Sequence, residues 1–597
     1  MEQRNLLLAI VLSLAILIGF QFIFPPPQPP QQPQEQQTAQ TTDGAGAPGA
    51  SVPGASVPGV GAAPTLGGVP TAPTREDVIG ISPRISIQTP RLTGSIALRG
   101  ARIDDLTLTQ YKETLEADSP AVTLLSPEGS DRAYFSRFGW AAKPGTGVTL
   151  PDANTLWTAE GGPLTQTSPV TLRWDNGQGL TFEQTIAIDD NYLFTVTQRV
   201  ANNGEAAAEL APFALISRTG TPNTLGFYIL HEGPIGVFNE TLEEYKYGDD
   251  LKDEYQGQEV TIANDTTGGW LGITDKYWLA ALVPDQQAPV KTRFVYNQPG
   301  GRDHYQSDLI YPTAAVAPGA SVETTSRLFA GAKRVPLLEE YQEKYGITKF
   351  ELAVDFGMFY FLTKPIFWAL HWLHAALGNF GLAILALTVV IKLVFFPLAN
   401  KSYKSMAKMR KLQPKMMELR ERFGEDKQRL NQEMMALYKK EGANPLSGCL
   451  PILIQIPVFF ALYKVMFVTI EMRHAPFYGW IHDLSAPDPT TILNGFGLLP
   501  WGAPDLGVLN LLNLGVWPLL MGISMFLQQK LNPQPPDPVQ AKVFMLMPIM
   551  FTFLLATFPA GLVIYWTWNN VLSMAQQAII MKRQGVPLGS GKPKPTT

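Results

Sequence analysis

Residues 379–398 read NFGLAILALTVVIKLVFFPL, a run that is apolar beyond its first residue except for Thr388 and Lys392. Twenty such residues in a helix cross the hydrocarbon core of a bilayer. A lysine well inside a span costs roughly 2.5–3.5 kcal/mol on insertion scales, so a chain that keeps one turns it toward protein or a wet cavity. Thr388 precedes Lys392 by four residues and shares its helical face. The competing reading is a lysine that snorkels, its stem in lipid and its ammonium among the headgroups. Pro397 is expected to close the helix.

Outward from this stretch, the 597-residue chain is uneven. Its formal charge of −5 hides two opposed fields: residues 75–345 carry a net −13 and residues 399–448 a net +6. Neither has the density of a nucleic-acid surface, and there is no zinc spacing, RNP-like run or P-loop, so no nucleic-acid recognition is expected. Cys449 is the only cysteine, which excludes an internal disulfide and a cysteine-based metal site. No metal or cofactor is expected. The run Leu446-Ser447-Gly448-Cys449 has the look of a lipoprotein processing box, but it lies mid-chain with no signal peptide before it.

In chain order, residues 6–24 are nearly all apolar and follow Arg4. No small-x-small cleavage site comes after them, so residues 1–24 read as an uncleaved N-terminal transmembrane anchor rather than a secretory signal. Residues 25–74 hold twelve prolines among Gln, Gly, Ala, Ser and Thr, the composition of a disordered tether. Residues 75–348 then show short alternating runs between turn residues. Examples are 170–174, Asp175-Asn176-Gly177, 180–188, Asp189-Asp190-Asn191 and 193–200, a spacing that predicts a large all-β sandwich. Only His231 and His304 stand among its scattered carboxylates, and acidic loops on a solvated domain account for these better than a catalytic site.

Residues 349–378 include PIFWALHWLHAAL, too short to span and rich in Trp and His, which suits an interfacial amphipathic helix. Gly378 ends it, and Asn379 is the predicted N-cap of the span 379–398. In the basic segment 399–448, Met406, Met409, Leu412, Met416, Leu419 and Phe423, then Leu430, Met434 and Leu437, recur at helical spacing. They predict an antiparallel helical hairpin with one Met-rich stripe and a kink at Pro414. Packing between the two helices explains the stripe more simply than a Met-lined partner surface. Further spans are read at 449–471, 508–529, 543–559 and 560–581, with loops at 472–507 and 530–542 and a tail at 582–597.

Six spans place both termini on one side. The positive-inside rule assigns the hairpin, the N- and C-termini to the cytoplasm and the acidic β-domain to the periplasm of a bacterial cell inner membrane. The predicted architecture is a multi-domain membrane protein with six transmembrane helices: an N-terminal anchor, a periplasmic all-β super-sandwich, a cytoplasmic helical hairpin and a five-helix core. Thr388, Lys392, Gln455, Ser524, Gln528, Tyr565, Thr567 and Asn569 are candidates to line a wetted groove. The short span 543–558 implies a locally thinned bilayer. No G-x-S-x-G or H-E-x-x-H motif occurs, and no intramembrane acid pairs with Lys392, which argues against a pump or a protease; no enzyme activity is expected.

Several pieces resemble one family, the YidC/Oxa/Alb membrane protein insertases, in its Gram-negative form. They are Ser405-Met406-Ala407-Lys408-Met409 with Leu412-Gln413-Pro414-Lys415, QEMMALY at 432–438, Asn444-Pro445-Leu446 with Gly448-Cys449 and Pro451, and Leu453-Ile454-Gln455 with Pro457. Phe459, Ala461-Leu462-Tyr463, WIHDLS at 480–485 and Phe558-Pro559 with Gly561-Leu562 continue the likeness over nearly the whole chain. The resemblance implies a protein that inserts nascent membrane proteins, alone or with SecYEG and its accessory proteins, among membrane lipids and without a nucleotide of its own. It implies a groove whose basic residue, here Lys392, attracts the acidic tail of an incoming protein, with Thr388, Gln455, Tyr565 and Trp566 beside it. It also implies an apolar slide on the spans at 450–470 and 543–558, carried by Ile456, Phe459, Leu554 and Leu555. The β-domain would resemble a sugar-mutarotase-like sandwich. The family more often has arginine where Lys392 stands, and the tail after Met581 is too short to support a ribosome or signal recognition particle contact by itself. Two other classes compete: a membrane-anchored carbohydrate-binding envelope protein, prompted by the β-domain, and a solute transporter, for which neither an internal repeat nor a continuous pore is visible.

Overall fold

A computed structural model describes residues 73–224, 230–248, 250–424, 426–442, 450–499, 501, 512–532 and 538–585. The expected anchor, nearly all of the tether, the Asn444 to Cys449 motif and the end of the tail lie outside the described residues. The chain forms two compact units, a β-unit that ends at Asp355 and a helical unit that begins at Phe356.

The β-unit is built from a ten-stranded and a nine-stranded sheet. In the first, Ala208–Thr219 runs antiparallel between Tyr134–Ala142 and His304–Ile310. In the second, Ser321–Ala332 lies antiparallel between Leu193–Asn202 and Trp278–Val283. The turn residues read from the sequence act through their side chains. The Asp175 carboxylate accepts from the Gly177 N–H at 2.8 Å, and Asp189 accepts from the N–H groups of Asn191 and Leu193 at 2.9 and 3.0 Å. Gly177 takes the positive φ of 69° that this turn requires. Between the sheets, Trp140 meets Phe182 edge-on at 5.0 Å, and the buried amides of Gln184 and Gln198 donate to the carbonyls of Phe138 and Gly139 at 2.9 and 2.8 Å. Helix α1 (Val335–Tyr345) buries Leu337, Leu338 and Tyr341, with the Tyr341 ring 6.1 Å from Phe329.

The helical unit contains α2 (Tyr360–Leu377), α3 (Phe380–Val394), α4 (Phe396–Phe423), α5 (Lys427–Glu441), α6 (Leu450–Val468), α7 (Val516–Leu531), α8 (Pro538–Leu554) and α9 (Ala560–Arg583). Helix α9 packs against α3, α4, α6 and α7 and is the axis of the unit. Asn379 caps α3 by accepting from the Leu382 N–H at 3.0 Å. Gly381, on the first turn of α3, is required by contact: a Cβ there would lie 1.9 Å from the Phe477 ring.

Two boundaries differ from the sequence reading. The expected span 379–398 is not one helix: the chain turns by 69° between α3 and α4, and Pro397 stands in the first turn of α4, where its missing N–H costs nothing. Helix α4 then runs on through Pro414 as a single element. Of the span expected from residue 508, residues 508–511 lie outside the described residues, and helix α7 begins at Val516. The preceding loop fixes that start, with the Thr490 hydroxyl accepting from the Val516 N–H at 3.0 Å and the Asp488 carboxylate from the Trp517 N–H at 2.8 Å.

Among the described residues no single helix is long and apolar enough to cross a membrane, and the bent pair α3–α4 passes that test only together. Exposure nevertheless separates the units. Among the described residues the β-unit leaves three large apolar side chains exposed, Ile81, Leu115 and Leu156, whereas α8 alone exposes Val543, Phe544, Met545, Leu546, Ile549, Met550 and Leu554. An apolar surface of that extent requires an apolar solvent or a partner.

Candidate groove in the helical unit

Five elements converge on one cleft of about 660 Å³, counting the space at its mouth. Helix α3 supplies Ile391 and Lys392, α4 supplies Leu398, Ala399 and Tyr403, α6 supplies Gln455 and Val458, α7 supplies Gln528, and α9 supplies Asn569, Ser573 and Gln576, with Phe395 at the turn. Among the described residues, one cation, four amides and two hydroxyls face an otherwise apolar wall, and no carboxylate lines it.

Lys392 is half-buried, and its Nζ donates to the Ser573 hydroxyl at 2.6 Å. Ser573 in turn donates to the Asn569 carbonyl at 2.7 Å. The 69° turn matters here, because it folds the start of α4 back so that Tyr403 enters the cleft. Gln455 donates to the Tyr565 hydroxyl at 3.4 Å. The arrangement can hold an anionic group by charge and hydrogen bonding while apolar segments lie against its walls.

The other expected groove residues are placed differently. Thr388 is buried, and its hydroxyl bonds back to the Ile384 carbonyl at 2.7 Å instead of lining the cleft. Thr567 likewise bonds back to Val563, and Ser524 accepts from Asn570 at 3.0 Å in the contact between α7 and α9. Tyr565 is buried behind Gln455. Trp566 packs edge-on against Phe459 at 4.6 Å, in a cluster with Met521, Leu555 and Phe551. Of the four expected slide residues, Ile456 and Leu554 are exposed and Phe459 is half-buried, but Leu555 is 4 % exposed and belongs to the core. Tyr403 and Ser573 are groove residues that the sequence alone does not assign. Ser573 is four residues beyond Asn569 on α9, so the helical period offered a signal for it; Tyr403 had none.

In the hairpin, Met409, Met416, Met434 and Leu437 pack with Leu412 and Tyr438 between α4 and α5. Met406 does not join that stripe and packs with Tyr403 and Ile580. The base of α4 also caps its neighbours: Arg410 donates to the Leu531 carbonyl at 3.3 Å and Lys411 to the Gln584 carbonyl at 2.9 Å, at the C-terminal ends of α7 and α9.

Residues 84–369 match the family model of the YidC periplasmic domain, and residues 372–586 match that of the 60Kd inner membrane protein. The chain is 51 % identical over 596 residues to the membrane protein insertase YidC of Methylobacterium nodulans, covering 98 % of this chain and 96 % of that one. It is 49 % identical over 613 residues to the protein of the same name from Rhizobium meliloti, covering 100 % and 99 %. Among solved structures, an active YidC insertase with its first transmembrane domain resolved covers 82 % of this chain and 91 % of its own, at 18 % identity and a TM-score of 0.35. A galactose mutarotase-like protein from Lactobacillus casei covers 42 % and 100 %, at 12 % identity and 0.29. The matched models, and an identity of 51 % over nearly the whole chain, together establish that the chain belongs to the YidC family of membrane protein insertases.

Proposed function

We propose that this protein inserts membrane proteins into the bacterial inner membrane by capturing the acidic tail of an incoming segment at Lys392. The observation that carries the reading is the ammonium itself: it faces a polar cleft, makes one hydrogen bond among the described residues, to a neutral hydroxyl, and meets no carboxylate there. A half-buried cation with so few partners is costly to keep and attracts an anion. The bound segment then leaves along Ile456, Phe459 and Leu554 into lipid, which needs no nucleotide because burial of its apolar face supplies the driving force. In this reading the helical unit spans the inner membrane, its short helices thin the bilayer locally, the hairpin and both termini are cytoplasmic, and the β-unit is periplasmic. Nascent membrane proteins are the substrates, and SecYEG is a partner for part of them.

The test uses purified protein in liposomes with a single-span substrate bearing an acidic N-terminal tail, scored by protection of the tail from added protease. Wild type and Lys392→Arg are expected to protect it, and Lys392→Ala to lose most of the protection. Equal protection by Lys392→Ala across several such substrates would remove the capture step. Deleting residues 75–340 is expected to leave insertion in place, which a carbohydrate-binding envelope protein would not tolerate.

A further inference from the structure

Ser573 holds the ammonium of Lys392 in a defined way. A serine hydroxyl has one proton to give, and Ser573 gives it to the Asn569 carbonyl at 2.7 Å. Its oxygen is thereby left as an acceptor, and it accepts from Lys392 at 2.6 Å. Of the three ammonium protons, one is engaged by this bond. Both residues of this relay sit on α9, the most central helix of the unit, so the anchor point is fixed by the packing around it.

We propose that Ser573 is the positioning residue of the groove: it pins the Lys392 ammonium inside the cleft and leaves its remaining protons directed at the two oxygens of one carboxylate, so that Ser573 sets the preference for acidic-tailed substrates. This rests on the capture reading above. The physical need for a pin follows from the lysine stem. Four methylenes and high rotamer freedom let an unpinned ammonium swing to the headgroups, which here means past Leu393 and Val394, both about two-thirds exposed. A swung-out lysine still carries its charge but no longer presents it in the cleft. Tyr403 stands beside Ser573 and narrows the space into which the ammonium could move.

The substitution Ser573→Ala removes the acceptor without a penalty to the helix, since the bond from Ser573 to Asn569 closes on its own helix and alanine is the better helix former. The experiment uses the full chain in liposomes with two substrates that differ only in the tail, one acidic and one neutral, and compares wild type, Lys392→Ala, Ser573→Ala and Ser573→Thr. Expected for Ser573→Ala is a fall of about tenfold in the ratio of the initial rate for the acidic tail to that for the neutral tail, the worth of one charge-assisted hydrogen bond. Ser573→Thr, which keeps the hydroxyl, is expected to restore the wild-type ratio. An unchanged ratio of the two rates in Ser573→Ala, whether both rates hold or both fall together, would overturn the positioning role while a selective defect in Lys392→Ala keeps capture standing. No selective defect in Lys392→Ala would overturn capture itself, and the role of Ser573 with it.

Discussion

In the β-unit, Arg218 on the strand 208–219 leaves 14 % of its side chain exposed and makes two bonds to the Asp275 carboxylate at 2.7 and 2.9 Å and a third to the Tyr247 hydroxyl at 2.8 Å, with the Tyr134 ring 4.5 Å from its guanidinium. In the helical unit, Lys392 has one bond among the described residues, to a serine. Arg293 with Asp308 and Arg84 with Asp104 repeat the first pattern. A buried charge that is fully paired fixes a structure and has nothing left to bind with. One that is held only by a neutral hydroxyl retains its attraction for an anion, at a cost in stability. The same contrast holds for apolar surface, which the β-unit hides and α8 displays.

Four substitutions or conditions would break or sharpen this contrast. The largest effect is expected from Arg218→Ala, which strands Asp275 among buried partners and should cost about 3–5 kcal/mol, read by urea unfolding of the β-unit tryptophans in the full-length protein. A change under 1 kcal/mol would mean that the pair is not structural.

Next is acid. Burial pushes the His231 imidazole down to about 4, and the neutral ring bonds to the Pro234 carbonyl at 3.1 Å. Below pH 6.5 the unfolded chain takes up a proton that the folded one refuses. Stability from this group is therefore complete above 6.5 and falls by about 3 kcal/mol as the pH reaches 4. Unfolding midpoints between those values should follow that slope, and His231→Gln should flatten it in part, because burial lowers His304 as well.

A smaller effect belongs to Gly381→Ala. Its new methyl meets the Phe477 ring, an overpacking cost of about 1–3 kcal/mol that should appear as faster proteolysis in the 472–485 loop. The smallest change in stability, about 0.5 kcal/mol or less, is expected for Ile456→Ser on the exposed side of α6, measured by thermal unfolding in detergent. Its insertion rate should fall nonetheless. A large loss of stability with no loss of rate would take Ile456 off the slide.

Much of this architecture was legible because its signals are local. Asp175, Asp189 and Asn379 act on N–H groups within four residues of themselves, and the alternation of Leu180–Ile188 is read directly from its spacing. What escaped depends on distant partners. Proline fits both the end of one helix and the first turn of the next, so Pro397 could not disclose the 69° turn. The start of α7 is set by Asp488 and Thr490, in a loop that precedes it by 26 to 29 residues. Thr388 shares a face with Lys392, yet a hydroxyl so close to its own backbone is satisfied there and leaves the cleft to others. Leu554 and Leu555 are neighbours with opposite fates, since the chain passes from α-helix to a tighter 3₁₀ turn between them and rotates one inward.

The most direct test of the contrast measures stability and insertion on one preparation of Lys392→Met, a substitution of similar volume that removes the charge. Thermal unfolding in detergent and protection of an acidic tail in liposomes would be read side by side. The account predicts a midpoint equal to or above that of wild type, with protection of the acidic tail largely lost. A protein that is clearly less stable, or one that inserts the acidic tail at the wild-type rate, would contradict the claim that this charge is kept for binding and not for the fold.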